Sequence, residues 1–491
     1  MGTGVAARRH LRARRGGRTR RAAHPSGHLL ALGLVSTSVA LAFSGAGGLM
    51  LLGYPIAAVV VSAWLLLRRH DGAYIEFALW LWLVTPGVRR VVDYTLMRHA
   101  LSPILVAPSL VSCAALVRVV LSRLVISAPV ARAFGVAVLV FSYGAVVGVA
   151  RNGLRPAAAA ALQLFAPLIF GLFVASSRVN DDELTARLAL LARRAIILLS
   201  VYGIVQFLVL PPWDAAWMIE SDISSVGRPV PGEIRVFSLL NTAGPFAQVL
   251  GSLLVIELGL VRRRPLWQVT GIAMGYVALG LSLVRAAWFG FAGGVAVLAR
   301  HGRVSGLRVI LVGAVGGVLI GLWGGSVGEA VFARAAATVE AGAEDRSLQQ
   351  RLAFQREIAP LAVGNVLGEG LGSAGLASTL NETAATRYRH FDSGIFSNLF
   401  ALGPVAAGAL FLAVLSAWMS AASRAVGSSV PESTWVAAAC VPLFGFVFTN
   451  SFYGVYGVIL WTLFAMSGRS MGADRGDRGR PSERRRPVHH L

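Results

Sequence analysis

The stretch TAGPFAQVLGSLLVIELGLVRRRPLW, residues 242–267, decides the class of fold. Its apolar part, 242–261, is long enough at about 1.5 Å per residue to cross a hydrocarbon core of roughly 30 Å as a helix. It stops on Arg262, Arg263 and Arg264. Three cations at a helix end mark the side of a membrane that retains positive charge, the cytoplasm. Glu257, the one acid in the run, lies within a turn or two of those arginines and is expected to be paired.

The same signature recurs along the whole chain. Apolar runs fall at 29–46, 49–67, 73–88, 102–119, 129–149, 156–176, 193–210, 266–284, 286–300, 308–327, 394–420, 433–449 and 452–468. Of 491 residues, 56% are hydrophobic and only 14% charged, too few charges to coat a soluble protein of this length. The expectation is an all-α polytopic membrane bundle of about 14 helices, with 12 as a lower bound. It has a basic, disordered cytoplasmic tail at each end (1–28 and 469–491) around one membrane domain (29–468).

Net charge is +22, and all 45 basic residues are arginine. The excess sits in the two tails and in short loops, where anionic lipid headgroups are the natural counterions, so nucleic acid is not an implied partner. With both tails inside, 31 arginines fall on the cytoplasmic side and 13 outside, and Arg285 stands at a helix boundary. The inverted topology would export most of the positive charge. The N-terminal tail carries eight arginines and no acid, and no small-residue cleavage site follows it, so the first helix is expected to be retained. Cys113 and Cys440 each sit inside an apolar run and are expected to be buried thiols; their number and spacing offer neither a disulfide framework nor a metal site.

Two outer segments are long enough to house a function: 211–241, PPWDAAWMIESDISSVGRPVPGEIRVFSLLN, and 328–393. Within the second, EDRSLQQRLAFQREIAPLA reads as an amphipathic helix lying across the outer mouth. Ser347 and Gln350 form a capping box, and Leu348, Leu352 and Ile358 share one side. The segment ends in RYRHFDSGIFSNLFALGPVAAG, 387–408, which sets ionisable groups at the start of a membrane helix.

Arg285, in LSLVRAAWFGFAGG, is costly against apolar sequence; it either snorkels to headgroups or clamps an anion such as a phosphate. Arg235, in GEIRVFSLLNTAGPFAQ, invites the same two readings, and the two arginines together suit a diphosphate. Outside the tails and inner loops only His99 and His390 remain of the nine histidines, so His390 is a candidate base, against the plain alternative of a solvated loop histidine. Asp392 precedes Ser393 and Gly394; it is either the N-cap of the next helix or a second candidate base. Trp213 and Trp217 read as an interfacial aromatic belt, with sugar stacking as the lesser possibility. VLGEGLGS, 366–373, lacks the lysine and strand of a phosphate-binding loop.

Taken in order, several segments resemble the O-antigen ligase and O-antigen polymerase superfamily of membrane glycosyltransferases. PPWDAAW through GRPVPGEIRVFSLLNTAGPFA resembles the outer loop that enters a helix through an arginine. LSLVRAAWFG resembles a Ser-Arg-Gly-Ala-Trp-like junction, with Val284 in the Ser position and Ala286 in the Gly position. RLAFQREIAPLAVGNVLGEGLGS resembles the amphipathic segment ending in a Gly-Val-Gly-like turn. FDSGIFSNLFALGPVAAG resembles the closing motif, with Asp392 where the ligases carry His, then Ser393, then Gly403. The resemblance spans roughly 190–420. It implies a GT-C-like fold and metal-independent, cofactor-free transfer of a glycan from undecaprenyl diphosphate to an acceptor glycan hydroxyl at the outer leaflet, in surface polysaccharide assembly. Arg235 and Arg285, with Arg346 and Arg351, would hold the leaving diphosphate, and His390 or Asp392 would be the base. The alternative is a flippase or transporter of the same lipid-linked oligosaccharide, which needs charged groups along a path through the bundle.

Overall fold

The structure is a computed structural model that describes residues 26–98, 102–122, 124, 126–221, 224–260, 266–302, 346–380, 393–425, 430–447 and 449–478. All regular structure among them is helical, apart from one isolated bridge between Gly227 and Ile234. Seven helical stretches are long and apolar enough to cross a membrane: 27–67, 103–120, 128–152, 154–176, 181–209, 243–260 and 394–424. Large apolar side chains such as Leu139, Val146, Val405 and Leu412 stand exposed on their outer faces, as lipid contact requires. The chain is a multi-pass helical membrane protein. The helix expected at 308–327 lies outside the described residues.

α1 (Gly27–Leu41) and α2 (Gly47–Leu67) form a hairpin that reverses at Gly45, whose φ of 86° suits glycine. α3 (Asp71–Thr95) is the central element, and nearly all of it is enclosed by α1, α2, α8 and α9. Its expected end at 88 is corrected to Thr95. The helix carries Arg89, Arg90 and Asp93 inside because each has a partner: Arg89 pairs with Asp93 one turn on at 2.5 Å, and Arg90 is neutralised from another segment. The run expected at 102–119 is broken into a 3₁₀ turn at Pro103–Val106, α4 (Ala107–Ala114) and α5 (Leu116–Val120).

α6 (Ala128–Asn152) and α7 (Leu154–Ser176) follow as an antiparallel pair. α8 (Asp181–Val209) starts earlier than expected, because Asn180 caps it and Asp181, Asp182 and Glu183 complement its positive end. After it come α9 (Pro212–Ser221), α10 (Ala243–Leu260), α11 (Leu266–Leu281), α12 (Arg285–Arg300), α13 (Arg346–Gly364), α14 (Gly394–Arg424), α15 (Val430–Gly445) and α16 (Gly454–Arg478).

The bundle has two distinguishable ends. At one, here the tail end, the Gly27 N–H meets Glu76, the Ser127 N–H meets the Gly468 carbonyl, and Arg469 binds Asp181 and the carbonyls of Val174, Ser177 and Val179. The chain continues as helix to Arg478, past the expected start of the tail at 469, and Arg469 is built into the fold. Glu76 and Glu257 are paired here, with Arg187 (3.1 Å) and Arg193 (3.3 Å). The opposite end, the loop end, gathers the C-terminus of α3, residues 224–241, the α11–α12 turn, residues 365–380 and the start of α14.

Candidate functional site

The loop end is organised around one buried ion pair. α8 closes on Leu210, held at φ 47°, and Pro212 opens α9 in the next turn, which swings Asp214 back against α3. Asp214 meets Arg90 Nε at 2.7 Å, and both side chains are fully buried. The other carboxylate oxygen accepts from Tyr202 Oη (2.9 Å) and Gln206 Nε2 (2.8 Å). The remaining arms of Arg90 donate to the carbonyls of Ser238 and Leu240, and its guanidinium lies over the Phe237 ring. Gln206 Oε1 accepts the N–H groups of Phe237 and Ser238. Buried charge survives where it is paired and hydrogen-bonded, and here the ion pair is supported by a tyrosine hydroxyl, an amide and two carbonyls. The result is a fixed path for residues 236–241.

That path positions Arg235. Its Nε donates to the Ser282 carbonyl (3.2 Å), Nη2 to the Leu283 carbonyl (3.0 Å) and Nη1 to the Ser225 carbonyl (3.0 Å). The Val236 N–H adds a bond to the Leu281 carbonyl, and Trp288 Nε1 closes the turn onto Leu279. Ser282, Leu283 and Val284 form the α11–α12 turn, and Arg285 is the first residue of α12, half-buried. The two arginines singled out from sequence therefore meet at one turn, with Arg235 as its clasp.

Asparagine chemistry shapes the neighbouring surface. Ser393 and Gly394 are buried, with Gly394 pressed against the Thr449 carbonyl so closely that a side chain would not fit. Asn398 Nδ2 donates to the Gly394 carbonyl (2.7 Å), and the Asn450 amide in turn approaches Asn398. Gly244, at the start of α10, lies against the Tyr456 hydroxyl on α16. The starts of α10, α14 and α16 thus converge at the loop end, one short segment away from Arg90 and Arg235.

α14 is not the continuous helix expected at 394–420. It breaks at Gly403 (φ 77°, ψ 159°), followed by Pro404. Proline has no N–H to offer the Phe400 carbonyl, and the break orphans that of Ala401. The loop 365–372 supplies both: the Glu369 N–H bonds Phe400 (2.8 Å) and the Gly370 N–H bonds Ala401 (2.8 Å). Leu371 N–H reaches Gly144 on α6, and Arg151, Asn152 and Tyr143 hold the loop's own carbonyls. Gly370, at φ 80°, packs directly on Gly148. The glycines of VLGEGLGS thus serve backbone-to-backbone packing between three helices. Irregular backbone at membrane depth is tolerated when protein encloses it.

α13 docks on α14 through Ile358, Ala362 and Phe400, so Ile358 is on the packed face as expected. Arg346 opens α13 and Arg351 follows; Ser347 lies within the helix. The side chains of Arg346, Leu348, Arg351 and Leu352 lie outside the described set. His99, His390 and Asp392 also lie outside the described residues. Trp213 donates to Tyr202 Oη (2.7 Å), and Trp217 donates to the Asn241 carbonyl with Arg89 over its ring at 4.2 Å. Both tryptophans belong to the frame of the loop end. Sequence reasoning missed Arg90, Asp214 and Gln206. The available signal was an acid inside the aromatic PPWDAAW and a polar amide in an apolar helix.

The fold defines a class, a polytopic all-helical membrane protein. The chain matches no protein-family model and no curated protein, so its resemblance to the ligase and polymerase superfamily rests on the segments quoted above.

Proposed function

We propose that this chain is a metal-independent membrane glycosyltransferase of the O-antigen ligase or polymerase kind, with a GT-C-like bundle of about 14 membrane helices. Both termini and the arginine-rich tail end face the cytoplasm, and the loop end faces outward at the plasma membrane. The donor is a glycan on undecaprenyl diphosphate, and the acceptor is a hydroxyl of another glycan. The acceptor oxygen attacks the anomeric carbon, the bond from that carbon to the phosphate oxygen breaks, and undecaprenyl diphosphate leaves. His390 or Asp392 takes the acceptor proton.

The observation that carries this reading is the clasp between Arg235 and the turn that bears Arg285. Negative charge grows on the leaving diphosphate, and a cation preorganised at that point lowers the barrier without having to reorganise. Arg285, at the N-terminus of α12, adds the positive end of a helix to its own charge. Arg235 holds that turn in shape, and Arg346 and Arg351 on α13 complete the cationic set. Ser393 and Gly394, buried at the head of α14, fix where that helix enters the bundle.

The test is direct. Purified protein in liposomes, given undecaprenyl-diphosphate-linked glycan and acceptor, should release undecaprenyl diphosphate and form a new glycosidic bond, and Arg285→Ala should slow both by about 100-fold or more. Translocation of the lipid-linked glycan with no new bond would reject the enzyme in favour of the flippase.

A further inference from the structure

A cavity lies far from the loop end, at the other end of the bundle. It measures about 240 Å³ and opens at the tail end, among the C-terminus of α2, the N-terminus of α3, α5 and the α7–α8 connection. Arg69, His70, Arg118, Arg178 and Arg187 line it, against Asp71 and Glu183. The acids are already engaged: Arg118 pairs with Asp71 at 3.1 Å, and Arg187 with Glu183 at 2.8 Å and with Glu76 at 3.1 Å. Among the described residues, no carboxylate pairs with Arg69 or Arg178.

Two backbone features add to this charge. α3 begins without a side-chain cap, and its Gly72 and Ala73 line the cavity, so the positive end of that helix lies beside it. Gly72 leaves room for the Arg187 guanidinium stem to cross this helix end. Arg69 terminates α2 in a left-handed conformation (φ 58°), with the His70 N–H bonded to Leu65 and the Arg69 N–H to Leu66. This helix-ending motif favours glycine at the position Arg69 holds. An arginine is kept there at a conformational cost, with its guanidinium on the cavity.

Close in sequence to the cavity-lining Arg69 and Arg118, the apolar Leu67, Val117, Val120 and Leu121 are all largely exposed, and the Trp64 ring lies 5.9 Å from that of His70 in a tilted arrangement. Basic pockets between membrane helices at this depth suit anionic headgroups.

We propose that this cavity binds the phosphate of an anionic phospholipid headgroup, with Arg69 and Arg178 as its main cations and the N-terminus of α3 beneath it. The acyl chains run along Leu67 of α2 and along α5. This site is independent of the glycosyl-transfer reading and would stand if that reading fell.

The experiment uses the full chain, delipidated in zwitterionic detergent and exposed to mixed micelles of phosphatidylglycerol or phosphatidylcholine, with bound lipid counted by native mass spectrometry. Phosphatidylglycerol should be retained and phosphatidylcholine should not. Arg69→Gly relaxes the helix end while removing the charge, so Arg69→Gly/Arg178→Gln should keep the wild-type melting temperature and bind phosphatidylglycerol at least tenfold more weakly. Unchanged retention in that double variant would overturn the proposal. So would inorganic phosphate or diphosphate displacing phosphatidylglycerol at millimolar concentration, which would assign the cavity to a soluble anion. If the double variant unfolds, Arg178→Gln alone must still weaken retention severalfold, or the proposal fails.

Discussion

The two ends of the bundle use arginine in opposite ways. At the tail end, arginines such as Arg187 and Arg118 remain partly exposed and meet carboxylates beside water. At the loop end, Arg90 is fully enclosed, and Arg90 and Arg235 together engage five backbone carbonyls as well as Asp214. A pair beside water gains little, because solvent screens it and competes for its hydrogen bonds. An enclosed guanidinium that donates to carbonyls fixes backbone, because each bond is directional and its loss exposes an unmatched group. Apart from Arg469, which is 10% exposed and donates to three backbone carbonyls, the tail end therefore reads as an electrostatic surface, and the loop end as a rigid frame.

The strongest way to break this contrast is to remove the enclosed cation. Arg90→Met leaves Asp214 buried without its counter-charge, and a loss of about 3–5 kcal/mol is expected. It should appear as a sharply lowered melting temperature in detergent or as failure to accumulate. Converting both partners, as Arg90→Met/Asp214→Leu, should recover part of that stability. If Arg90→Met melts like wild type, the frame is not held by this pair. Arg285→Ala separates frame from chemistry: transfer should fall about 100- to 1,000-fold, the range for removing one preorganised transition-state donor, while the melting temperature stays put. A parallel fall in stability would move Arg285 into the frame. Gly403→Ala is expected to cost about 1–3 kcal/mol, because the left-handed break and the Val366 carbonyl beside it leave no room for a side chain. Differential scanning would show a shift of intermediate size. Arg228→Gln gives the smallest effect: its pair with Glu233 is exposed although it lies in the loop-end segment. Less than about 1 kcal/mol is expected. A larger shift there would mean that position in the fold, and not enclosure, sets the worth of these arginines.

Much of the scaffold is written in local sequence. Each apolar run of membrane length and each capping signal acts within a window of one helix, so α6, α7, α10 and α12 fall near the bounds the sequence predicts. That Glu257 needs a counter-charge was also legible, because an acid in an apolar run needs a neighbour; that Arg193 of α8 pairs with it was not. The frame was not. α3 ends seven residues beyond its expected limit, since Arg90 draws its neutraliser from a segment far along the chain, and no local window contains that information. The break in α14 was advertised by Gly403-Pro404, but its stabilisation depends on the Glu369 and Gly370 N–H groups, which only the tertiary arrangement delivers. For the proposed site, sequence singled out Arg235 and Arg285 and the fold brings them to one turn; it took side-chain geometry to show Arg235 as the clasp of that turn.

The pairing of Arg90 with Asp214 also bears on how the protein is made. Synthesis delivers the third helix to the bilayer well before the acid that will neutralise it leaves the ribosome. Until then the cation has only headgroups and water to lean on, so the half of that helix that carries Arg90 is expected to linger at the interface and sink home late. The N-terminal helices, expressed without the segment beyond Val209, should therefore insert but fail to close.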